Sequence, residues 1–340
     1  MFDFKNCDKV ELKEAFIATA QHMNVSENII EKDFWVCFTL RLLFSIDELE
    51  DHLTFKGGTS LSKIYNVISR FSEDIDISIE RKFFGFEGDK EPLNSTSNKK
   101  SKKLIEQLVD KCSEYVNDTL IQVLRKEIDK YFDLNDEWDL EVDPDDKDQQ
   151  TILFYYPSLF DSKTSYVKKN IKIEIGARSD HWPVSMKPVV SYVEERFPII
   201  MSPDNEVMIR VLNSERTFWE KATILHMYAY FPKEKLVPVR QSRHYYDFYC
   251  LLSSETKELA LNNLELLERV VIHKSLYFKS SWANYISAKK GSLKIIPGKR
   301  VLAEMEKDYG AMNEMFFGEI PSWEEIINTL NSFEEHFNTN

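Results

Sequence analysis

The chain has 340 residues, 43% hydrophobic, 30% charged and 13% aromatic, the make-up of an ordinary soluble globular protein with room for two domains. Its net charge of −13 argues against a protein that coats nucleic acid nonspecifically. No apolar run is long enough to span a membrane, and Met1-Phe2-Asp3-Phe4-Lys5-Asn6 lacks the layout of a signal peptide, so the expected location is the cytoplasm, with no membrane partner. Cys7, Cys37, Cys112 and Cys250 are scattered without a Cys-x-x-Cys pair, and the histidines show no metal spacing, so neither disulfides nor zinc is indicated.

Taken in order, residues 8–24 carry apolar positions at helical spacing, and a second helix runs from Ser26, a good N-cap, to Phe44. Leu53-Thr54-Phe55-Lys56 is a short strand entering Gly57-Gly58. Leu61, Ile64, Tyr65 and Ile68 then predict a helix over 59–70 with one apolar face. After Phe71-Ser72-Glu73 the period becomes two: Ile75, Ile77 and Ile79 point one way, Asp74, Asp76 and Ser78 the other. Leu104–Phe132 reads as one long helix, and the acidic stretch to Asp148 as a solvated hairpin tip without the glycine and glutamate of a calcium loop. Thr151–Tyr156 and Asn170–Gly176 are strands, the second placing Glu174 with Lys172 on its polar face. Val207–Leu212 is a further strand. Helices follow from Ser214, as N-cap, and over 237–252, and the remainder is mostly helical with a break around Gly291–Pro297. The expected architecture is α+β, a mixed sheet flanked by helices in 1–204 and a mainly α-helical second domain in 205–340.

The chemistry concentrates in 55–79. Gly57-Gly58 at the front of a helix offers free backbone N–H groups to a phosphate. With a rise of roughly 3.3 Å per residue, Asp74 and Asp76 place their Cα atoms about 6.6 Å apart on one face. With Glu174 they gather up to three negative charges, which repel unless a cation binds. Mg2+ prefers such oxygens, and two ions clamp an in-line phosphoryl displacement. An exposed strand face is the alternative for Asp-x-Asp alone, and a salt bridge with Lys172 the alternative for Glu174. Together the features point to transfer of an NMP from an NTP.

Charge is also polarised: residues 128–148 hold ten acids and two lysines, whereas 269–300 hold eight Lys/Arg and no acid. Within that basic segment Phe278, Trp282 and Tyr285 recur at helical spacing and read as core. Lys289, Lys290, Lys294 and Lys299 are the better contacts for RNA phosphates.

The Gly-Gly, helix, Asp-x-Asp unit resembles the signature of polymerase-beta-type nucleotidyltransferases. The wording Gly57-Gly58-Thr59-Ser60-Leu61-Ser62-Lys63 followed by Arg70-Phe71-Ser72-Glu73-Asp74-Ile75-Asp76 resembles the AbiEii/AbiGii toxin family within them. The likeness continues through Ile30-Glu31-Lys32-Asp33-Phe34-Trp35, Glu215–Lys221, Arg243–Phe248, Phe278–Tyr285 and Asp308–Met312, nearly the whole chain. The interval from Gly58 to Asp74 is longer than is usual for the superfamily, and Glu174 stands where Asp is commoner. The resemblance implies a nucleotidyltransferase fold and a toxin of a toxin–antitoxin or abortive-infection (phage-defence) system. It implies RNA, tRNA first, as the acceptor, and a cognate antitoxin as partner. It implies that Gly58, Thr59 and Ser60 contact the NTP phosphates, that Asp74 and Asp76 bind Mg2+, and that Lys221 and Asp247 are essential. On physical grounds Lys221 would neutralise the departing pyrophosphate, Asp247 would orient Lys221 or the base, Arg243 would reach a phosphate, and Glu174 would be a metal ligand or the general base. A surface pair with Glu220 is the alternative for Lys221. The rival functions are a non-catalytic nucleotide-binding module on the same scaffold and transfer of NMP to a protein hydroxyl.

Overall fold

The structure is a computed structural model and describes residues 2–160, 168–198 and 207–339. The chain divides into two compact units, 1–64 with 71–211, and 65–70 with 212–340. The domain boundary expected near residue 205 lies outside the described residues.

In the first unit, α1 (Lys9–Met23) is capped by Asp8, whose carboxylate accepts from the N–H groups of Val10 and Glu11, and ends on left-handed Asn24. Helix α2 (Glu27–Phe44) starts at Ser26 as expected, but it has no polar face: every residue from Ile29 to Phe44 is buried. It lies against a mixed seven-stranded sheet built from β1 (Leu53–Lys56), β2 (Asp74–Ile79), β3 (Asp139–Val142), β4 (Thr151–Tyr155), β5 (Asn170–Gly176), β6 (Val184–Pro188) and β7 (Met208–Leu212). The strand order is β3-β4-β5-β2-β1-β7-β6. At its centre β2 runs antiparallel to β1 and parallel to β5. The isoleucines of β2 and β5 close the core with Trp35, whose indole stacks on Tyr156 at 5.5 Å between centroids.

Helix α3 (Gly57–Lys63) is shorter than the expected 59–70. Asn66 takes φ +48°, and Tyr65–Arg70 leaves for the second unit, where the Tyr65 hydroxyl donates to the Leu212 carbonyl. The long helix expected from Leu104 begins earlier, as α4 (Asn98–Tyr115) capped by Ser97, and continues through a π-turn into α5 (Ile121–Ile128). The acidic 143–150 segment is the tip of the β3–β4 hairpin. Strand β6 and the short α6 (Tyr192–Arg196) have no counterpart in the sequence reading.

The second unit packs α7 (Ser214–Ala229), α8 (Arg243–Leu252), α9 (Thr256–Leu261), α10 (Leu264–Tyr277), α11 (Lys299–Gly310) and α12 (Trp323–Thr339). Its core joins Phe218 and Trp219 of α7 to Phe248 of α8 and Phe333 and Phe337 of α12. Ser214 is the first residue of α7 and not its cap; the cap position is Asn213. Helix α8 starts at Arg243 instead of 237, because Pro238 lies in the approach and Arg240 takes φ +62°. Asp308 of α11 fixes that start, accepting from Arg240 N at 2.5 Å, Ser242 N at 2.8 Å and Ser242 Oγ at 2.6 Å.

Candidate active site

In the first unit the register aligns Lys56 of β1, Asp76 of β2 and Glu174 of β5 in one row, with Asp74 opposite Lys172 two strand positions away. Register partners point to the same side of a sheet, so the acids share the polar face while Ile75, Ile77 and Ile79 are buried on the other. The Asp76 carboxylate lies 3.6 Å from the Lys56 ammonium and is about a quarter exposed. Glu174 is held by Lys172 at 3.0 Å, the salt-bridge alternative raised by the sequence. Among the described residues no three His, Cys, Asp or Glu side chains converge as a metal cluster.

The glycine turn touches this row directly. Gly57 takes φ +85°, and a Cβ there would stand 1.9 Å from Oδ2 of Asp76, so only glycine lets the turn lie on that carboxylate. Thr59 and Ser60 are wholly buried and their hydroxyls are engaged within the protein. The Thr59 hydroxyl donates to the Asp74 carbonyl and accepts from Ser72, and Ser60 donates to the Gly57 carbonyl at 2.8 Å. With no exposed surface at Thr59 and Ser60, the part of the turn open to a phosphate is the half-buried Gly57-Gly58 backbone, and no side chain caps the start of α3.

Two strand positions along, His181 spans the β1–β2 pair, Nδ1 at 2.7 Å from Thr54 Oγ1 and Nε2 at 3.0 Å from Ser78 Oγ. Burial pushes its pKa down to about 4, so the ring is neutral near pH 7 and donates through one nitrogen while accepting at the other.

In the second unit, Asp247 is fully buried and takes three charge-assisted bonds: Arg70 Nε at 2.7 Å, Arg70 Nη2 at 2.9 Å and Lys221 Nζ at 2.7 Å. Burial would raise its pKa, but Arg70 and then Lys221 outweigh that and hold it well below the usual carboxylate range. Lys221 also lies 3.1 Å from His244 Nδ1, which must accept, leaving the imidazole proton on Nε2. Burial pushes the Lys221 pKa down, against the pull of Asp247. Burial, then Lys221 and Arg243, push His244 well below its ordinary value. Arg70 and Lys221 thus share the buried carboxylate of Asp247, with the half-buried Arg243 one turn ahead of it on α8. Glu220, the alternative partner for Lys221, pairs with Arg216 at 3.2 Å instead.

Residues 278–298 form an ordered loop, not a helix, so the helical-spacing argument for its aromatics fails. Tyr285 is core, Trp282 packs on Phe231 at 5.1 Å, and Phe278 is exposed. The loop is pinned from below: Lys294 N donates to His226 Nδ1 at 3.0 Å, Leu293 N to Asn338 at 3.0 Å and Ile296 N to Glu334 at 3.0 Å. Lys289, Lys290, Lys294 and Lys299 stand exposed on or beside it.

The sequence reading assigned no role to Arg70, His244, Lys56 or Asp308. The signal for Arg70 was its place in the Arg70-Phe71-Ser72-Glu73-Asp74 run, and for His244 its place beside Arg243.

A family profile described as "Nucleotidyl transferase AbiEii toxin, Type IV TA system" matches residues 40–335. The chain belongs to the AbiEii family. It is therefore a nucleotidyltransferase of a toxin–antitoxin family, with the α+β architecture expected. No curated protein matches it. Among solved structures, MenT4, a nucleotidyltransferase toxin from Mycobacterium tuberculosis, is 13% identical over 96% of this chain and 99% of that one, with a TM-score of 0.42. JHP933 from Helicobacter pylori is 14% identical over 92% of this chain and 98% of that one, with a TM-score of 0.36. No helix among the described residues is long and apolar enough to cross a membrane.

Proposed function

We propose that this AbiEii-family chain transfers an NMP from an NTP to a hydroxyl of RNA, tRNA first, in a Mg2+-dependent reaction that arrests growth unless a cognate antitoxin is present. The observation that carries the reading is the contact of Gly57 with the Asp76 carboxylate, which sets a glycine turn directly on a paired-aspartate strand. Asp74 and Asp76 would hold Mg2+; two partly exposed carboxylates completed by phosphate oxygens and water are a donor set this ion accepts. The bound metal would supply positive charge at the α-phosphate and the departing pyrophosphate.

The chain's own groups do the rest. Gly57 and Gly58 offer backbone N–H groups to phosphate oxygens, and the buried Thr59 and Ser60 hold the turn in shape. Lys221 and Arg243 offset the charge that builds on pyrophosphate as the acceptor oxygen bonds to the α-phosphorus and the bond to the bridging oxygen breaks. Asp247 holds Lys221 in one orientation. Glu174, engaged by Lys172, is left out of the metal set. Lys289, Lys290, Lys294 and Lys299 hold the RNA backbone.

Incubating the protein with each α-labelled NTP and total bacterial RNA tests this. Label should enter an RNA band for the wild type and be lost for Asp76→Ala. Full incorporation by Asp76→Ala would overturn the reading, and label confined to a protein band would reassign the acceptor.

A further inference from the structure

Helix α2 carries Glu31, Lys32 and Asp33 in succession at 0%, 2% and 3% exposure, in a helix that has no solvent face. Burying an ion costs several kcal/mol that only a well-made partner offsets, and apolar residues of similar size would pack a helix equally well. The partners of the last two are therefore informative. Lys32 Nζ binds Glu73 Oε2 at 2.5 Å and the Lys168 carbonyl at 2.9 Å. Asp33 Oδ1 binds Lys63 Nζ at 2.8 Å, and its Oδ2 accepts from Tyr192 N at 2.7 Å. The Lys63 ammonium also sits 3.6 Å from the centroid of the Tyr192 ring.

Lys63 is the last residue of α3, the helix that opens with Gly57, and Glu73 immediately precedes Asp74. Between these points the chain leaves the first unit, as residues 65–70 belong to the second. The two ends of that excursion are thus held by adjacent residues of one rigid helix. Successive side chains on a helix diverge by about 100°, which lets neighbours reach two separate segments. The Thr59 hydroxyl bonded to the Asp74 carbonyl adds a third tie between the same pieces.

We propose that Lys32 and Asp33 are positioning residues, a tandem clamp that fixes the Gly57–Ser60 turn against Asp74 and Asp76 so that metal and phosphates meet a preset geometry. The proposal rests on the reading that the turn takes phosphate and the aspartates take Mg2+. Neither residue touches substrate. The clamp acts by holding α3 and the start of β2, and a shift of about 1 Å at such a site costs on the order of 100-fold in rate.

The test uses the full chain carrying Lys32→Met, Glu73→Gln, Asp33→Asn or the paired exchange Lys32→Glu with Glu73→Lys, beside Asp76→Asn. Three quantities are read: amide hydrogen exchange over 57–76 without ligand, calorimetric affinity for each NTP with Mg2+, and KM and kcat for pyrophosphate release. Single variants should exchange faster over 57–63 and 71–74, and bind NTP about tenfold more weakly. KM and the Mg2+ requirement should rise more than kcat falls, and the exchange of charges should recover part of the loss, since a carboxylate at position 32 cannot donate to the Lys168 carbonyl. Glu73→Gln keeps an acceptor for Lys32 at the more open end of the pair, so it reports even where Lys32→Met fails to fold. A folded single variant with wild-type exchange, affinity and KM, while Asp76→Asn is inactive, would sink the clamp and leave the site reading standing. Full activity of Asp76→Asn would sink the site reading itself.

Discussion

Asp247 and Arg70 form a bidentate pair, 2.7 and 2.9 Å, in which neither side chain has more than 2% of its surface exposed. The same carboxylate orients Lys221, so one aspartate joins the segment ahead of β2 to the ammonium assigned to pyrophosphate. Arg70→Met leaves Asp247 with Lys221 as its charged partner but breaks two charge-assisted hydrogen bonds, so it should destabilise the protein by about 1.5–3 kcal/mol in urea unfolding. Arg70→Lys keeps the charge without the planar fork and should recover only part of that. A loss under 1 kcal/mol for Arg70→Met would show that water reaches Asp247.

Gly57→Ala should act on the site and much less on the fold. The added Cβ meets Asp76 Oδ2 at 1.9 Å, and φ +85° strains any L side chain. Asp76 or the turn must move by more than an ångström, so kcat/KM should fall on the order of 100-fold. Unchanged activity with a cooperative thermal transition would mean that the turn and the carboxylate are not used together.

Three histidines set an acid limit. His181, His226 and His244 all have folded pKa values pushed below their ordinary value by burial, His181 to about 4. A depressed folded value means that the unfolded chain binds more protons, so stability is full above the unfolded pKa near 6.5 and declines as pH falls below it. For His181 the loss accrues between about 6.5 and 4. The urea midpoint should therefore drop from pH 7 to pH 5, and His181→Asn should shrink that drop. An equal drop in the variant would take His181 out of the account.

How much of this was legible in the sequence depends on distance along the chain. β2 and β5 show in period-two alternation, and Asp74, Asp76 and Glu174 fall on the polar face because alternation fixes the face. The end of α3 did not show. Leu61, Ile64, Tyr65 and Ile68 keep a helical spacing, yet the last two serve the second unit, and periodicity records burial without saying against what. The burial of Glu31-Lys32-Asp33 did not show either, because charged residues are usually exposed; only partners as remote as Glu73, Ser158 and Tyr192 reveal it. The Arg70–Asp247 pair spans 177 residues, and neither local propensity nor pattern carries such information.

The exposed lysines give a prediction that separates RNA holding from chemistry. Each ammonium that pairs with a single-stranded phosphate contributes about 0.7 to the slope of log affinity against log salt. Replacing Lys289, Lys290, Lys294 and Lys299 together by Ser should lower that slope by up to about 3 and weaken RNA binding at low salt. Calorimetric affinity for NTP should be unchanged, since these residues lie outside the turn and the aspartate row. An unaltered slope would remove this loop from the RNA surface.

Glu174 offers the sharpest division between the two accounts of the acidic row. As a general base it would be worth about 10²–10⁴ in rate, and as a metal ligand its loss would raise the Mg2+ requirement. As the partner of Lys172 in a pair exposed by 38% and 41%, it contributes at most about 1 kcal/mol to stability and nothing to the reaction. The 3.0 Å bridge and the lack of a three-ligand cluster among the described residues favour the second account. Glu174→Gln should therefore keep kcat within about tenfold of wild type, well short of the loss of a base, with the same Mg2+ midpoint. Asp74→Asn and Asp76→Asn should abolish turnover while remaining folded. Should Glu174→Gln fall as far as they do, Lys172 must release the carboxylate during the reaction, and Lys172→Met would then lower the Mg2+ concentration needed for half-maximal rate.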